Sequence, residues 1–175
     1  MKNNFNLYFD MDDTIVDFGA DRHKNDVKQV ILEKGFYAGL GPLPFLDEVN
    51  KLASVVPENV HIISACVETD YCIPEKIQWL KTYLPAADKD NVIFTNIGEN
   101  KAEKVAKKNK YKRLSKYDIL VDDYSQNIME WESYGGTAIK FQNSFNTADP
   151  SKYKYIIRDL SELLAVLNKI REDLD

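Results

Sequence analysis

Short, almost wholly apolar runs punctuate the chain at residues 5–9, 60–64, 92–95, 119–121 and 137–140. Runs of that length with little polar alternation predict strands buried on both faces. Longer stretches between them carry apolar residues at helical spacing: Phe45, Val49, Leu52 and Ala53, then Ile77, Leu80 and Leu84, then Ile128, Met129 and Trp131. Strand and helix therefore alternate. The pattern predicts an α/β fold, a Rossmann-like parallel sheet with helices on both faces, whose ligands bind beyond the carboxyl ends of the strands.

Glycine and proline mark the boundaries. Gly41, Pro42 and Pro44 precede one helix, Pro57 follows it, and Gly135 and Gly136 separate another helix from the next strand. At the C-terminal end, Leu160, Leu163, Leu164, Leu167 and Ile170 form an apolar stripe over residues 159–171, behind a cap supplied by Asp159 or Ser161. Residues 17–44 fit the alternation least. A helical segment at 21–34 and an aromatic, glycine-rich loop (Phe36, Tyr37, Gly39, Gly41) predict a small helical cap inserted after the first strand, within a single domain spanning residues 1–175.

Composition narrows the function. With 175 residues, 44% of them hydrophobic, the chain can bury roughly 70% of its unfolded surface and needs no disulfide or structural metal to fold. Cys66 and Cys72 match no zinc or redox spacing and are read as reduced thiols. A net charge of -5 argues against a nucleic-acid polymer as partner, because no excess of Lys and Arg is available to release counterions from a phosphate backbone. The basic stretch at 101–116, with seven lysines and one arginine, reads as a solvated helix face and its exit loop. No apolar segment approaches the ~20 residues of a membrane span. The first strand begins too early for a signal peptide to precede it, so the expected location is cytoplasmic.

The first strand ends in Asp10-Met11-Asp12-Asp13-Thr14. Strand stability does not ask for three carboxylates within four residues, and their repulsion is costly unless a cation sits among them. A polar turn capping the next element is the plainer account of the cluster taken alone. A second acidic pair, Asp122-Asp123, follows the apolar run at 119–121. In a parallel sheet both sets emerge at one edge, where they make an all-oxygen site of the kind Mg2+ prefers. Ser64 and Lys101 lie at or just beyond two further strand ends and supply a hydroxyl and a positive charge suited to a phosphoryl group. Only two histidines, His23 and His61, are present, too sparse a set for zinc hydrolysis or a Ser-His-Asp triad, and no P-loop occurs.

Taken in order, Asp10-x-Asp12-x-Thr14, Ser64, Lys101 and Asp122-Asp123 resemble the four motifs of the haloacid dehalogenase (HAD) superfamily of phosphohydrolases. The resemblance implies a Mg2+-dependent phosphomonoesterase in which Asp10 is the nucleophile, forming an aspartyl-phosphate, and Asp12 the general acid and base. It also implies that Ser64 and Lys101 hold the phosphoryl oxygens. The same resemblance implies that Asp10, the Asp12 carbonyl, Asp123 and Asp122 would form the metal site, with Asn127 where some members carry another acid.

Within the superfamily, residues 70–85, with Glu75-Lys76 ahead of Trp79, and the block Gly41-Pro42-Leu43-Pro44 are similar to 5′(3′)-deoxyribonucleotidases. That likeness implies a small-molecule partner, a (deoxy)nucleoside monophosphate, with Phe18, Phe36 and Tyr37 of the cap as candidate substrate contacts. The sequence departs from that family at Asp13-Thr14, where many members carry a glycine and an apolar residue, and in the shortness of its insertion. A phosphatase for sugar phosphates or other small phosphoesters would use identical chemistry, and a binding module that retains the fold without turnover is the alternative from another class.

Overall fold

The computed structural model describes residues 5–19, 27–143 and 149–174. Its elements begin with β1 (Asn6–Phe9), β2 (Val16–Asp17), α1 (Val27–Val30), α2 (Phe36–Gly39), β3 (Gly41–Pro42), α3 (Leu46–Val55) and β4 (Val60–Cys66). They continue with α4 (Cys72–Tyr83), β5 (Val92–Asn96), α5 (Lys101–Lys108), β6 (Asp118–Asp122), α6 (Ser125–Ser133), β7 (Thr137–Phe141), β8 (Ile156–Ile157) and α7 (Leu163–Leu174). Six strands form one parallel sheet in the order β5-β4-β1-β6-β7-β8. This is the parallel sheet with helices on both faces that the alternation predicts.

Register explains why acids far apart in sequence meet. Phe9 lies opposite Ile62 of β4 on one side and Val121 of β6 on the other. The residues that follow, Asp10 and Asp122, therefore leave adjacent strands at the same level, and the Asp10 amide donates to the Val121 carbonyl at 3.0 Å.

Each face of the sheet carries its own core. On one side Leu7, Phe9, Ile62 and Val121 pack with Val49, Trp79, Leu80, Leu163 and Leu167 from α3, α4 and α7. On the other, Tyr8, Ile63, Ile93 and Leu120 pack with Ala102, Val105, Ile128 and Trp131 from α5 and α6. Both tryptophans are buried with their ring N–H satisfied, Trp79 by the Leu40 carbonyl and Trp131 by the Asp118 carbonyl, each at 2.9 Å. Gly136 gives Trp131 its room, since a Cβ there would come within 2.3 Å of the indole nitrogen.

The insertion is closed at its neck by antiparallel pairing of β2 with β3. Residues 21–26 of the helix expected at 21–34, including His23, lie outside the described residues. In the remainder only Val27–Val30 is helical, followed by a second short turn at Phe36–Gly39. Phe18, Tyr37 and Leu40 join the core on the α4 side, so the insertion leans over that face.

Some apolar positions chosen by spacing point outward: Phe45, Ile77 and Met129 are all exposed. On α4 the buried stripe runs through Cys72, Glu75, Lys76, Trp79 and Leu80. Two of its members are charged, so a search for apolar residues alone misplaces the face. At the C-terminal end the cap is Asp159, whose carboxylate accepts from the Ser161 amide across a 3-10 turn that leads into α7. Strand β8, only two residues long, is too short to leave a periodic signal. No described helix is long and apolar enough to cross a membrane, and both cysteines are free and buried.

His61 stacks on Tyr8 with ring centroids 4.6 Å apart. Burial, reinforced by the Lys108 charge and opposed by Asp118, holds its pKa down to about 4. The unfolded chain takes up this proton near pH 6.5 and the folded chain does not, so stability is full above that pH and falls between pH 6.5 and 4. The loss expected is on the order of 1–2 kcal/mol once partial exposure is discounted. Urea melts across this range should show it, and His61→Phe should flatten the slope.

Candidate active site

At the carboxyl ends of β1 and β6, three carboxylates, those of Asp10, Asp122 and Asp123, place ligand oxygens within 4.8 Å of one another, all on buried residues. Lys101, the first residue of α5 and 3% exposed, lies 2.7 Å from both Asp10 Oδ1 and Asp122 Oδ2. Burial alone would lower the Lys101 pKa, but Asp10 and Asp122 outweigh it and hold the ammonium firmly protonated. Asp122 is fully buried, and desolvation pushes its pKa up to about 6 against the pull of Lys101. Its oxygens are taken by Lys101, by the Tyr124 amide at 2.8 Å and by the Asn127 side chain at 2.9 Å. Asn127 thus stands directly behind the acidic pair.

Asp12 sits in a tight turn in which the amides of Thr14, Ile15 and Val16 all return to the Met11 carbonyl. Asp13 takes the left-handed conformation, φ 59°. Glycine reaches that region without cost, and aspartate is among the residues that tolerate it. The departure from glycine here therefore leaves the turn intact.

Two further lysines complete the charge pattern, and neither stands out among the candidates chosen from sequence. Lys76, 1% exposed, projects from α4 to Asp12 Oδ2 at 2.7 Å, Ser64 Oγ at 2.8 Å and the Ala65 carbonyl at 2.9 Å. Desolvation raises the Asp12 pKa, and Lys76 opposes it. Lys140 reaches the Asp123 carbonyl from β7, and burial lowers its pKa. Asn143 also holds the loop, donating to the Asp13 carbonyl at 3.1 Å and to Asp123 Oδ2 at 3.3 Å. The sequence signal for both lysines is a charge inside an otherwise buried stripe, helical for Lys76 and extended for Lys140.

The neighbouring residues on α4 hold the insertion. The Glu75 carboxylate accepts from the Gly35 and Tyr37 amides at the start of α2, and Trp79 donates to Leu40. The Glu-Lys-x-x-Trp block thus fastens the insertion with its first and last members and Asp12 with its second. Phe18, Phe36 and Tyr37 pack ring against ring, with centroids 5.1 to 6.5 Å apart.

A cleft of about 670 Å³ opens over the carboxylates, lined by Asp10, Asp12, Lys101, Asp123 and Asn127 together with Ala65, Thr95, Ile97, Glu99, Tyr124 and Glu130. The three aromatic residues of the insertion are not among its described walls. Ser64 is fully buried with its hydroxyl turned to Lys76, and Ala65 forms the wall beside it.

A profile of the family "5' nucleotidase, deoxy (Pyrimidine), cytosolic type C protein" (NT5C) matches residues 10–155. The chain belongs to the NT5C family. It is a hydrolase of the phosphatase/5′-nucleotidase type, with the HAD fold. Among curated proteins no relative matches the sequence significantly. A haloacid dehalogenase-like hydrolase from Streptococcus pneumoniae superposes with a TM-score of 0.62 at 12% identity, covering 95% of this chain and 100% of that one. A HAD family hydrolase from Deinococcus radiodurans, solved with bound phosphate and sodium, gives 0.62 at 10% identity over 97% of each chain. The Bacillus subtilis HAD hydrolase YfnB, bound to magnesium, gives 0.60 at 14% identity, over 95% of this chain and 100% of that one. At these identities the likeness is one of fold.

Replacing Glu75 by alanine should leave the Gly35 amide and the buried Tyr37 amide without an acceptor and cost about 2 kcal/mol. Hydrogen exchange should then accelerate at Gly35 and Tyr37 while the β-sheet amides stay protected, and Glu75→Gln should lose less.

Proposed function

We propose that this NT5C-family chain is a Mg2+-dependent 5′-nucleotidase that hydrolyses (deoxy)nucleoside monophosphates through an aspartyl-phosphate on Asp10. The observation that carries this reading is the pairing of two acids two residues apart in different electrostatic settings. Asp10 lies against Lys101 and beside two more carboxylates, and Asp12 is held by Lys76.

The residues fit a hard divalent cation. The donors are carboxylate oxygens, and the described walls of the cleft set Asp10, Asp12, Glu99, Asp123 and Glu130 against Lys101 alone. A phosphate dianion would meet net repulsion there without further positive charge. Asp10 and Asp123, which line the cleft, would hold the ion, while Asp122, its oxygens already engaged, orients Lys101 and Asn127. Bound Mg2+ would neutralise charge on the phosphoryl oxygens.

An Asp10 oxygen attacks phosphorus, and the bond to the ester oxygen breaks as that oxygen takes a proton from Asp12. Water then attacks the phosphoryl group on Asp10, gives its proton to Asp12 and releases phosphate. Desolvation favours the protonated form of Asp12 before the first step, and the Lys76 charge keeps the carboxylate accessible as a base for the second. Lys101 holds a phosphoryl oxygen alongside Asp10. Ser64 fixes Lys76 and through it Asp12.

Phosphate release from a panel of deoxyribonucleoside, ribonucleoside and sugar phosphates tests the reading. Activity should require Mg2+, vanish with EDTA, and fall about a thousandfold or more in Asp10→Asn. Preference for sugar phosphates would replace the nucleotidase by a general phosphatase. No release from any ester by folded protein would favour the binding module. Lys76→Met should lower kcat roughly tenfold to a hundredfold with little change in KM, because Asp12 loses its positioning charge while the phosphate contacts remain.

A further inference from the structure

The chain has two cysteines, Cys66 and Cys72. Their spacing in sequence suits no redox motif, but the fold brings them together. Cys66 is the last residue of β4 and Cys72 the first of α4, and the connection between them turns back so that the Cys72 amide donates to Thr69 Oγ1 at 3.2 Å. Both side chains enter the same core, and the Cys66 thiol donates a hydrogen bond to the Cys72 sulfur.

The two sulfurs differ in setting. Cys72 is fully buried and also accepts from the Tyr37 hydroxyl and the Val67 amide. The hydrogen bond from Cys66, helped by the Lys76 charge and by these two donors, outweighs burial and lowers the Cys72 pKa to about 7. Cys72 also opens a helix of twelve residues, where the aligned amides favour negative charge. The bond to Cys72, together with burial, pushes the Cys66 thiol up, so Cys66 keeps its proton. Cys66 nevertheless reaches the surface. It is 5% exposed in the wall of a second cleft, of about 290 Å³, beside the ends of β4 and β5, with Val67, Thr69, Thr95 and Lys104 among the other walls. The phosphoryl-transfer mechanism uses neither sulfur.

We infer that Cys66 and Cys72 are an oxidisable dithiol whose reversible disulfide slows turnover by displacing Lys76 from Asp12. The oxidant is a hydroperoxide that enters the second cleft and meets the Cys66 sulfur. That sulfur attacks one peroxide oxygen, the O–O bond breaks, and Cys66 becomes a sulfenic acid as its proton passes to the Cys72 thiolate. The departing oxygen takes a proton from solvent and leaves as an alcohol or water. Cys72 then attacks the sulfenic sulfur, the S–S bond forms, and the sulfenic hydroxyl leaves with the Cys72 proton as water. The two sulfurs give up two electrons between them, and the peroxide takes both. Exchange with an external dithiol reverses the bond.

The effect on the site follows from what adjoins each cysteine. Cys66 directly follows Ala65, whose carbonyl binds Lys76, and Cys72 precedes Lys76 by one turn on the same face of α4. Joining the sulfurs draws the end of β4 and the start of α4 together, and the Lys76 ammonium moves relative to Asp12 and Ser64, which it meets at 2.7 and 2.8 Å. The Tyr37 hydroxyl loses its thiolate acceptor at the same time, so a tie between α4 and the insertion weakens.

The test uses the whole chain, either reduced with dithiothreitol or treated with hydrogen peroxide. Intact mass should fall by two hydrogens without forming a dimer, and because the chain has no other cysteine that loss identifies the Cys66–Cys72 bond. Turnover of dUMP, the readout that rests on the nucleotidase reading, should fall about tenfold or more through kcat with little change in KM, and dithiothreitol should restore it. Amide resonances of Ala65 and Lys76 should shift on oxidation and return on reduction whether or not any ester is hydrolysed. Cys66→Ala and Cys72→Ala, each lacking one sulfur, should keep most of the reduced rate and lose the response.

A mass that peroxide leaves unchanged, or that gains oxygen in place of losing hydrogen, overturns the dithiol. A disulfide that forms without slowing an active enzyme overturns the switch. If the reduced chain hydrolyses no ester, the nucleotidase reading fails, and the mass and the two resonances still decide the dithiol.

Discussion

Everything in this structure answers to one constraint: carboxylates crowd the carboxyl edge of a parallel sheet, and buried lysines must compensate them. Asp10, Asp122 and Asp123 converge because β1 and β6 run side by side in fixed register. Like charges at that separation repel strongly in a low-dielectric setting. Lys101 answers two of them, Lys76 answers Asp12, and Lys140 supports the Asp123 backbone. Each lysine comes from a different element, so the site also staples α4, α5 and β7 to the sheet edge. Removing one partner of such a buried set leaves an uncompensated charge, which costs more than the pair itself contributes.

The helix α4 shows how the same segment serves fold and chemistry. Its buried stripe alternates function along one face: Glu75 for the insertion, Lys76 for Asp12, Trp79 for the chain entering β3. The side chains are next to one another on the helix surface, yet their targets lie in separate parts of the chain. The position of the insertion and the setting of Asp12 are consequently coupled through one rigid rod of twelve residues.

The sheet and its order of strand ends were legible because buried parallel strands are continuous apolar runs and because acids at their ends have no structural excuse. Asp10, Asp12, Asp122 and Asp123 could be found in this way, and the structure gathers them at one edge. Lys76 and Lys140 escaped because apolar periodicity counts only apolar residues, and a buried lysine looks like an interruption. The aromatic residues of the insertion were conspicuous in sequence, but burial is decided by tertiary contacts, and Phe18 and Tyr37 are spent on packing. Ile97 and Tyr124 carried no pattern at all. An isolated apolar residue in a loop has significance only once the fold shows what stands beside it.

The two cores on opposite faces of the sheet divide the molecule into a half that fastens and a half that is free to vary. On the α4 side, substitutions must satisfy the insertion, Asp12 and the tryptophan at once, so few are tolerated. The loops leading into α5 and α6 need keep only Lys101, the acidic pair and the turn hydrogen bonds. Their outward side chains can drift with little penalty to folding. Sequence change should therefore accumulate at positions such as 97 and 124, where hydrogen bonds fix the backbone and the side chain is exposed.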